Sequence, residues 1–587
     1  MKKEILLSGI PASPGITMGE VFLLDKEEIG IKKRRLEKTE VEKEIQRFEN
    51  ALQRTNEELQ VIKERIGKRI DPEQTKIFDA QLLILEDEVI KGEVERRIRE
   101  EKINAEWIYK KTIEKTVNSI SSSRDEYLKE RVYDIEAVSE RLLSNLLGKR
   151  RIALDKIKRK AVLMAHSLSP GDLVNIRKEK ISGFATEVGG GTSHVALLAK
   201  SLGFPAVVGL KDALRRIDRG DFVIIDGDRG LVILSPTEKT VYQYEKRQKD
   251  LLKQKRKLFR LKSLPGETED GRKIEIQANI ELIEDIEEAL RYGAEGIGLY
   301  RTEYLYLAKS ELPSAQEQKK AYQTIVDKMY PNPVILRTFD LGGDKFAGEK
   351  TDMVEANPFL GWRAIRVCLD VPELFKVQLR AMLEASVRGN LKIMFPMVSG
   401  VEELKEAKSV LDQVKEELES QGIGFDQTIE LGIMMEIPSA CLMADSLATE
   451  CDFFSIGTND LIQYTLAVDR GNERVAHFYQ SFHPSVLRLI KQTVEAAHRN
   501  GIWVGLCGEM AANPLATVLL VGMGIDELST SPLSIPQIKR IVRSVNFSQA
   551  KEFAQKVLET TDLQHIKRLL EEDYKRRFGA EEIICLY

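Results

Sequence analysis

The sequence is short of the residues that would tie a chain together covalently or carry it across a bilayer. Five cysteines (Cys368, Cys441, Cys451, Cys507 and Cys585) are scattered over 587 residues without a CxxC pair. That spacing argues against a zinc ribbon or a disulfide scaffold and for reduced thiols. No apolar run reaches the roughly 18 residues of a membrane helix. The opening "MKKEILLSGIPASPG" starts like a leader, but Ser, Gly and Pro interrupt its apolar run, so no signal peptide is expected. A surplus of one charge is also missing: 89 Lys and Arg face 93 Asp and Glu, a formal net charge of −4. Neither nucleic acid nor an anionic membrane is therefore an expected partner, and a soluble cytoplasmic protein is.

What is present supports large cores. Apolar residues make up 42% of the chain and charged residues 31%, and the length suits about three to five domains. Val41, Ile45, Phe48, Leu52, Leu59, Ile62 and Ile66 recur at helical spacing among polar residues, which predicts a long amphipathic helix. A second helix is expected to enter through Asp71-Pro72, and helical pattern continues to about Leu147. From 160 to 236 the texture changes to short β runs, "AVLMAHSL", "ISGFATE", "PAVVGL" and "FVIIDGDRGLVIL", with a hairpin at Gly227–Gly230 and a helix near 171–178. The N-terminal "GIPASPGITMGEVFLL" reads as a Pro/Gly loop feeding a short strand that joins this small α/β domain. Residues 237–262 carry ten Lys or Arg against three Asp or Glu without Gly or Pro, the pattern of a solvated linker helix.

The rest of the chain has a rhythm. Apolar runs at "EIQANI", "GIGLYRTE", "VILRTFD", "KIMFPMV", "LGIMMEIP", "FFSIGTND", "IWVGLCGE" and "IDELSTSP" alternate with amphipathic helical stretches. Eight such runs predict a (β/α)₈ barrel. Polar residues gather where these runs end, the face on which barrel enzymes build their sites. Arg301 and Glu303 follow the second run, Arg337 and Asp340 the third, Glu436 the fifth, Asn459 and Asp460 the sixth, Cys507 and Glu509 the seventh, with Arg470 ten residues past Asp460. Several arginines suit a carboxylate and a phosphate on one small molecule. Glu436 and Asp460 offer two carboxylates to a hard cation, Mg²⁺ by preference. Cys507 is a candidate proton donor or acceptor with an ordinary thiol pKa near 8.5, or else a small buried apolar residue.

One further stretch, "GGGTSHVALLAKSLGFPAVVG" from Gly189 to Gly209, sets His194 behind three glycines and two hydroxyls at the start of an apolar helix pattern. Thr192 or Ser193 would N-cap that helix, whose first turn is a seat for an anion. Taken alone the stretch is equally a Gly-rich turn before a core helix.

Together with "PASPGI", "GIGLYRTEYLY", "LRTFDLGGDK", "NPFLGWRAIR", "MMEIPSA", "FFSIGTNDLIQYTLAVDR" and "LCGEMA", this stretch resembles the enzyme I family of the bacterial phosphoenolpyruvate:sugar phosphotransferase system, along essentially the whole chain. The resemblance implies a multidomain α/β protein. Residues 1–30 and 148–236 would form an α/β phosphohistidine domain, 31–147 a helical subdomain that docks the carrier HPr, 237–262 a linker helix and hinge, and 263–587 a TIM barrel that binds phosphoenolpyruvate and dimerises. It implies Mg²⁺-dependent phosphorylation of His194 by phosphoenolpyruvate, release of pyruvate, and transfer to a histidine of HPr. Arg301, Arg337, Asn459, Asp460 and Arg470 would bind phosphoenolpyruvate, and Arg363 would assist at the phosphate. Glu436 and Asp460 would hold Mg²⁺, and Cys507 would protonate the enolate carbon. The chain departs from the family pattern at Gly191, Val195, Leu210 and Leu173, which leaves open whether the acceptor is ordinary HPr or a paralogue. Two rival readings are a phosphoenolpyruvate synthase or pyruvate phosphate dikinase, for which no ATP-binding domain remains, and a non-catalytic sensor of phosphoenolpyruvate.

Overall fold

The computed structural model describes residues 3–24, 31–67, 81–121, 135, 138–139, 141–148, 160–168, 180–189, 195–196, 199, 203–307, 313–342, 355, 357–470, 472 and 474–579. The chain divides into two compact units, 1–251 and 252–586.

The first unit is built on an eight-stranded sheet. Its strands are β1 (Ile5–Ser8), β2 (Ile10–Ser13), β3 (Ile16–Leu24), β4 (Ala161–Ala165), β5 (Ile181–Thr186), β6 (Ala206–Val208), β7 (Phe222–Asp226) and β8 (Leu231–Leu234). They lie in the order β1-β8-β7-β3-β4-β5-β6-β2. β3 pairs parallel with β4, so the N-terminal strand does join the later ones across the helical segment. β7 and β8 form the expected hairpin, closing Asp226 onto Leu231. The expected loop "GIPASPG" is instead largely strand: Ile10–Ser13 pairs antiparallel with β6. It lies at the edge of the sheet, the one place where Pro11, lacking an N–H, costs no ladder bond.

The helical segment contains helices Val41–Gly67, Glu88–Glu101 and Ala105–Ser121. Ile45, Phe48 and Leu59 are buried against Val94, Ile98, Ile108 and Leu142, the stripe that the spacing predicted. The helix that starts at Glu88 is capped by Asp87, whose carboxylate accepts from the N–H of Val89 at 2.8 Å and of Ile90 at 3.1 Å. The expected start at Asp71-Pro72, the expected helix at 171–178 and His194 lie outside the described residues. Val195 and Ala196, immediately after His194, are helical. The basic stretch after β8 is a helix, Glu238–Phe259, as expected. It is not solvated all round, since Val241, Tyr244 and Leu251 pack on Ile16, Ile224 and Ile233 of the sheet.

The second unit contains a closed barrel of eight parallel strands: β9 (Glu275–Ile280), β10 (Ile297–Arg301), β11 (Val334–Arg337), β12 (Leu391–Phe395), β13 (Leu431–Met435), β14 (Phe453–Ile456), β15 (Trp503–Leu506) and β16 (Glu527–Thr530). Each falls in one of the eight expected runs. Alternation along the strands separates two cores. Val334, Leu336, Ile433, Phe454 and Leu528 face the helices in one large cluster. Leu299, Ile335, Met394, Met434, Phe453 and Cys507 form a smaller cluster inside the barrel. Full burial of each aliphatic side chain contributes about 1.5–3 kcal/mol, so the outer cluster is the main source of stability. At the strand starts Phe453 stacks on Trp503 with centroids 4.5 Å apart, and Lys392 Nζ stands 4.6 Å from the indole. Near the beginning of the unit Lys539, almost fully buried, pairs with Glu295 at 2.7 Å and donates to the carbonyls of Lys262 (3.2 Å) and Leu264 (2.9 Å). None of the helices among the described residues is long and apolar enough to cross a membrane.

Candidate active site

The strand ends carry the chemistry because inward positions of a parallel barrel come to the surface only there. Arg337 is the last residue of β11 and lies almost wholly out of water. Its Nη2 donates to Glu303 at 2.9 Å, and its Nη1 stands 3.0 Å from Asp340. Asp340 also takes Arg363, through Nε at 3.1 Å and Nη2 at 2.5 Å. One carboxylate thus spaces two guanidiniums. Burial opposes the charge on Asp340, yet Arg337 and Arg363 outweigh it and hold the carboxyl below the usual range. Arg363 is further tied to the Tyr464 hydroxyl at 3.4 Å, and its Nη2 lies 3.8 Å from Asp460. Arg301, at the end of β10, pairs with Glu281 at 2.8 Å and is about one-third exposed.

Glu436 directly follows β13. One oxygen accepts from the Met397 N–H at 2.7 Å. Burial, then the Asp460 and Asp340 carboxylates, push this acid well above the usual glutamate range. Two carboxylates that repel each other in a dry site are a fitting seat for a hard cation that keeps substrate oxygens as its other ligands. No group of three or more His, Cys, Asp or Glu suited to a metal occurs among the described residues. Asn459 and Asp460 open the helix Thr458–Leu466. The Asn459 side chain exchanges two hydrogen bonds with Glu509, accepting from its N–H at 3.0 Å and donating to its carboxylate at 3.4 Å. Arg470 is more open and reaches the same Glu509 carboxylate at 3.9 Å.

Cys507 follows β15 and is 3% exposed. Its carbonyl accepts from the Asn279 amide at 2.8 Å. Burial pushes its thiol up to about 11, with the Ser455 hydroxyl and Arg337 pulling the other way. The sequence-based expectation is an ordinary thiol value of about 8.5; burial in the barrel raises it.

The structure therefore joins Arg337 and Arg363 at Asp340, brings Arg363 to Asp460 and Asp460 to Glu436, and sets Cys507 in the inner cluster with Met434, which Arg337 also reaches, with Arg301 to one side and Asn459 and Arg470 joined through Glu509 to another. His194 lies outside the described residues. Sequence reasoning passed over Tyr464, which a spacing of four from Asp460 on a helix places on the same face. It also passed over Asn279 and Glu281, which stand at the end of the first apolar run, where the strand-end signal applies equally.

Three family descriptions match successive parts of the chain: PEP-utilising enzyme, N-terminal, over 8–131; PEP-utilising enzyme, mobile domain, over 157–230; and PEP-utilising enzyme, PEP-binding domain, over 255–547. The chain is 43% identical to the phosphoenolpyruvate-protein phosphotransferase of Haemophilus influenzae, over 97% of this chain and 99% of that one. It is 42% identical to the protein of the same name from Bacillus subtilis, over 97% of this chain and 100% of that one.

Proposed function

The chain belongs to the phosphoenolpyruvate-protein phosphotransferase family of PEP-utilising enzymes, and from that premise we propose that it moves the phosphoryl group of phosphoenolpyruvate first to His194 and then to a histidine of the carrier HPr. Residues 1–30 with 148–236 carry the phosphohistidine, residues 31–147 dock the carrier, residues 237–262 are the hinge, and residues 263–587 bind phosphoenolpyruvate and dimerise in the cytoplasm.

The observation that carries this reading is the convergence of Arg337, Arg363, Glu436 and Asp460 with a buried thiol at one mouth of the barrel. Arg301 and Arg337 take the carboxylate and phosphate of the substrate, Arg363 the phosphate, and Asn459 and Arg470 complete the clamp. These groups hold the charge that develops as the phosphoryl group leaves, and being preorganised they need little rearrangement. Glu436 and Asp460 would hold Mg²⁺, which would supply charge neutralisation during the transfer. The Cys507 thiol then gives its proton to the enolate carbon, which makes pyruvate a poor acceptor for the return of the phosphoryl group.

The test is incubation with labelled phosphoenolpyruvate and Mg²⁺. A phosphorus–nitrogen bond makes the label acid-labile and base-stable, and His194→Ala should abolish it. An acid-stable label, or one that survives His194→Ala in a folded protein, would overturn the assignment.

A further inference from the structure

Tyr464 stands at the site and has no part in the mechanism above. It lies on the helix Thr458–Leu466, one turn beyond Asp460, and is partly buried. Its hydroxyl donates to the Phe359 carbonyl at 2.6 Å and accepts from Arg363 Nη1 at 3.4 Å. A hydroxyl carries one hydrogen and two lone pairs, so both bonds form at once. Donating the first also makes the oxygen a better acceptor for the second.

Phe359 and Arg363 belong to one segment. Pro358–Leu360 is a single 3₁₀ turn, and Phe359 and Leu360 are exposed, so little packing holds it. Hydrogen bonds hold it instead. Arg366 Nη1 donates to the carbonyls of Leu360 and Gly361, each at 3.0 Å, and Tyr464 takes the carbonyl before them. The Phe359 ring lies 5.9 Å from the Arg363 guanidinium, at the edge of cation–π reach. Tyr464 therefore touches Arg363 directly and also fixes the backbone of the residue whose ring flanks it.

The guanidinium is held at both ends. Asp340 accepts from Nε at 3.1 Å and Nη2 at 2.5 Å, and Tyr464 takes Nη1. A neutral oxygen suits that third place. With Asp340 bonded and Asp460 3.8 Å from Nη2, a further carboxylate would cancel the charge that draws a phosphate. Burial, resisted in part by Arg363, pushes the Tyr464 phenol up to about 12, so it stays uncharged at neutral pH.

We propose that Tyr464 is a positioning residue for phosphate recognition: its hydroxyl holds the Arg363 guanidinium in place without neutralising it. This rests on the phosphate role given to Arg363 above. A long side chain fixed before the ligand arrives does not have to be ordered on binding, which strengthens the contact it makes.

The experiment compares two ligands on the full chain with Mg²⁺, in a His194→Ala background so that no phosphoryl group is transferred there. Phosphoenolpyruvate is titrated by calorimetry, and pyruvate, which has the carboxylate but no phosphate, by competition against it. Tyr464→Phe removes only the hydroxyl. It should weaken phosphoenolpyruvate by about three- to tenfold, the effect of one hydrogen bond, and leave pyruvate unchanged. Added to Arg363→Ala, it should weaken phosphoenolpyruvate no further, because the two groups act as one. Unchanged phosphoenolpyruvate affinity in folded Tyr464→Phe would overturn the proposal. So would an equal loss for both ligands, which marks a merely structural role, or a full further loss on top of Arg363→Ala. Should Tyr464→Phe not fold, the same measurements on Tyr464→Met, which fills the space without a hydroxyl, decide. If Arg363→Ala by itself binds phosphoenolpyruvate as well as its parent, the phosphate role of Arg363 fails, and this proposal with it.

Discussion

Arg337 donates to Glu303 at 2.9 Å with both side chains almost wholly withdrawn from water, and it leaves its Nε hydrogen without a partner. The pair fixes one edge of the guanidinium and keeps another donor available. Arg337→Ala leaves buried Glu303 without its cation and takes from Asp340 one of its two guanidiniums. A stability loss of about 3–5 kcal/mol is expected, the range for breaking a buried ion pair from one side. Thermal denaturation checks it; an unchanged melting temperature would mean that water or a rearranged Arg363 takes over.

Asp340→Asn tests spacing rather than charge removal at the substrate. Arg337 and Arg363 would keep a partner of the same size but lose the charge that holds them together. Hydrogen bonds to a charged group contribute about 1.5–3 kcal/mol, so affinity for phosphoenolpyruvate should fall about 10- to 100-fold by calorimetry. Unchanged affinity would show that the arginines stay in place without Asp340.

For Cys507→Ala the two readings of the residue separate cleanly. A proton donor predicts a fall in turnover of about 10²- to 10⁴-fold with phosphoenolpyruvate affinity near normal, since the clamp is untouched. A small core residue predicts full turnover and a loss of about 1 kcal/mol from the cavity. Turnover, affinity and melting temperature on the one variant decide.

As the proposed metal ligand, Glu436 would link Mg²⁺ binding to pH. Its folded pKa lies above its ordinary value, so the folded chain retains a proton that the unfolded chain gives up. The stability this confers is present below the ordinary glutamate range and is lost as pH rises through the raised value. On the proposed function, Mg²⁺ at Glu436 and Asp460 would replace that proton. Saturating Mg²⁺, at about 100 times its Kd, adds about 2.7 kcal/mol. The gain in melting temperature should be larger at high than at low pH, and Glu436→Gln should flatten the difference. A Mg²⁺ effect independent of both pH and Glu436 would move the metal elsewhere.

The barrel was legible because a parallel strand buried on both faces has to be written as an apolar run, and each of the eight runs became a strand. The rim was legible because Arg301, Arg337, Glu436 and Cys507 stand where those runs stop. What stayed hidden depends on contacts between distant strands. Glu527 sits in "IDELSTSP" as an ordinary polar residue of a short strand, and only Gly505 of β15 and Gly298 of β10, whose missing side chains leave room for its carboxyl, reveal that it points into a dry interior. The thiol pKa of Cys507 was misjudged for the same reason, since desolvation is a property of the whole barrel. Ile10–Ser13 was misread because Pro and Gly mark turns locally, whereas an edge position excuses them.

The grip of Lys539 on the carbonyls of Lys262 and Leu264 has a consequence for hydrogen exchange. The join between helix and barrel carries Pro265 and Gly266, in "SLPGETEDG". In the fold, the Gly266 N–H donates to Glu295 at 3.0 Å, and that carboxylate is itself held by buried Lys539. Opening this segment means exposing an ammonium and a carboxylate together, so the Gly266 amide should exchange with the slow kinetics of the barrel. The preceding turns of the helix, around Leu252 and Lys253, should exchange far sooner. The boundary between what yields and what does not then falls before Lys262, inside a continuous helical stretch rather than at its proline and glycine.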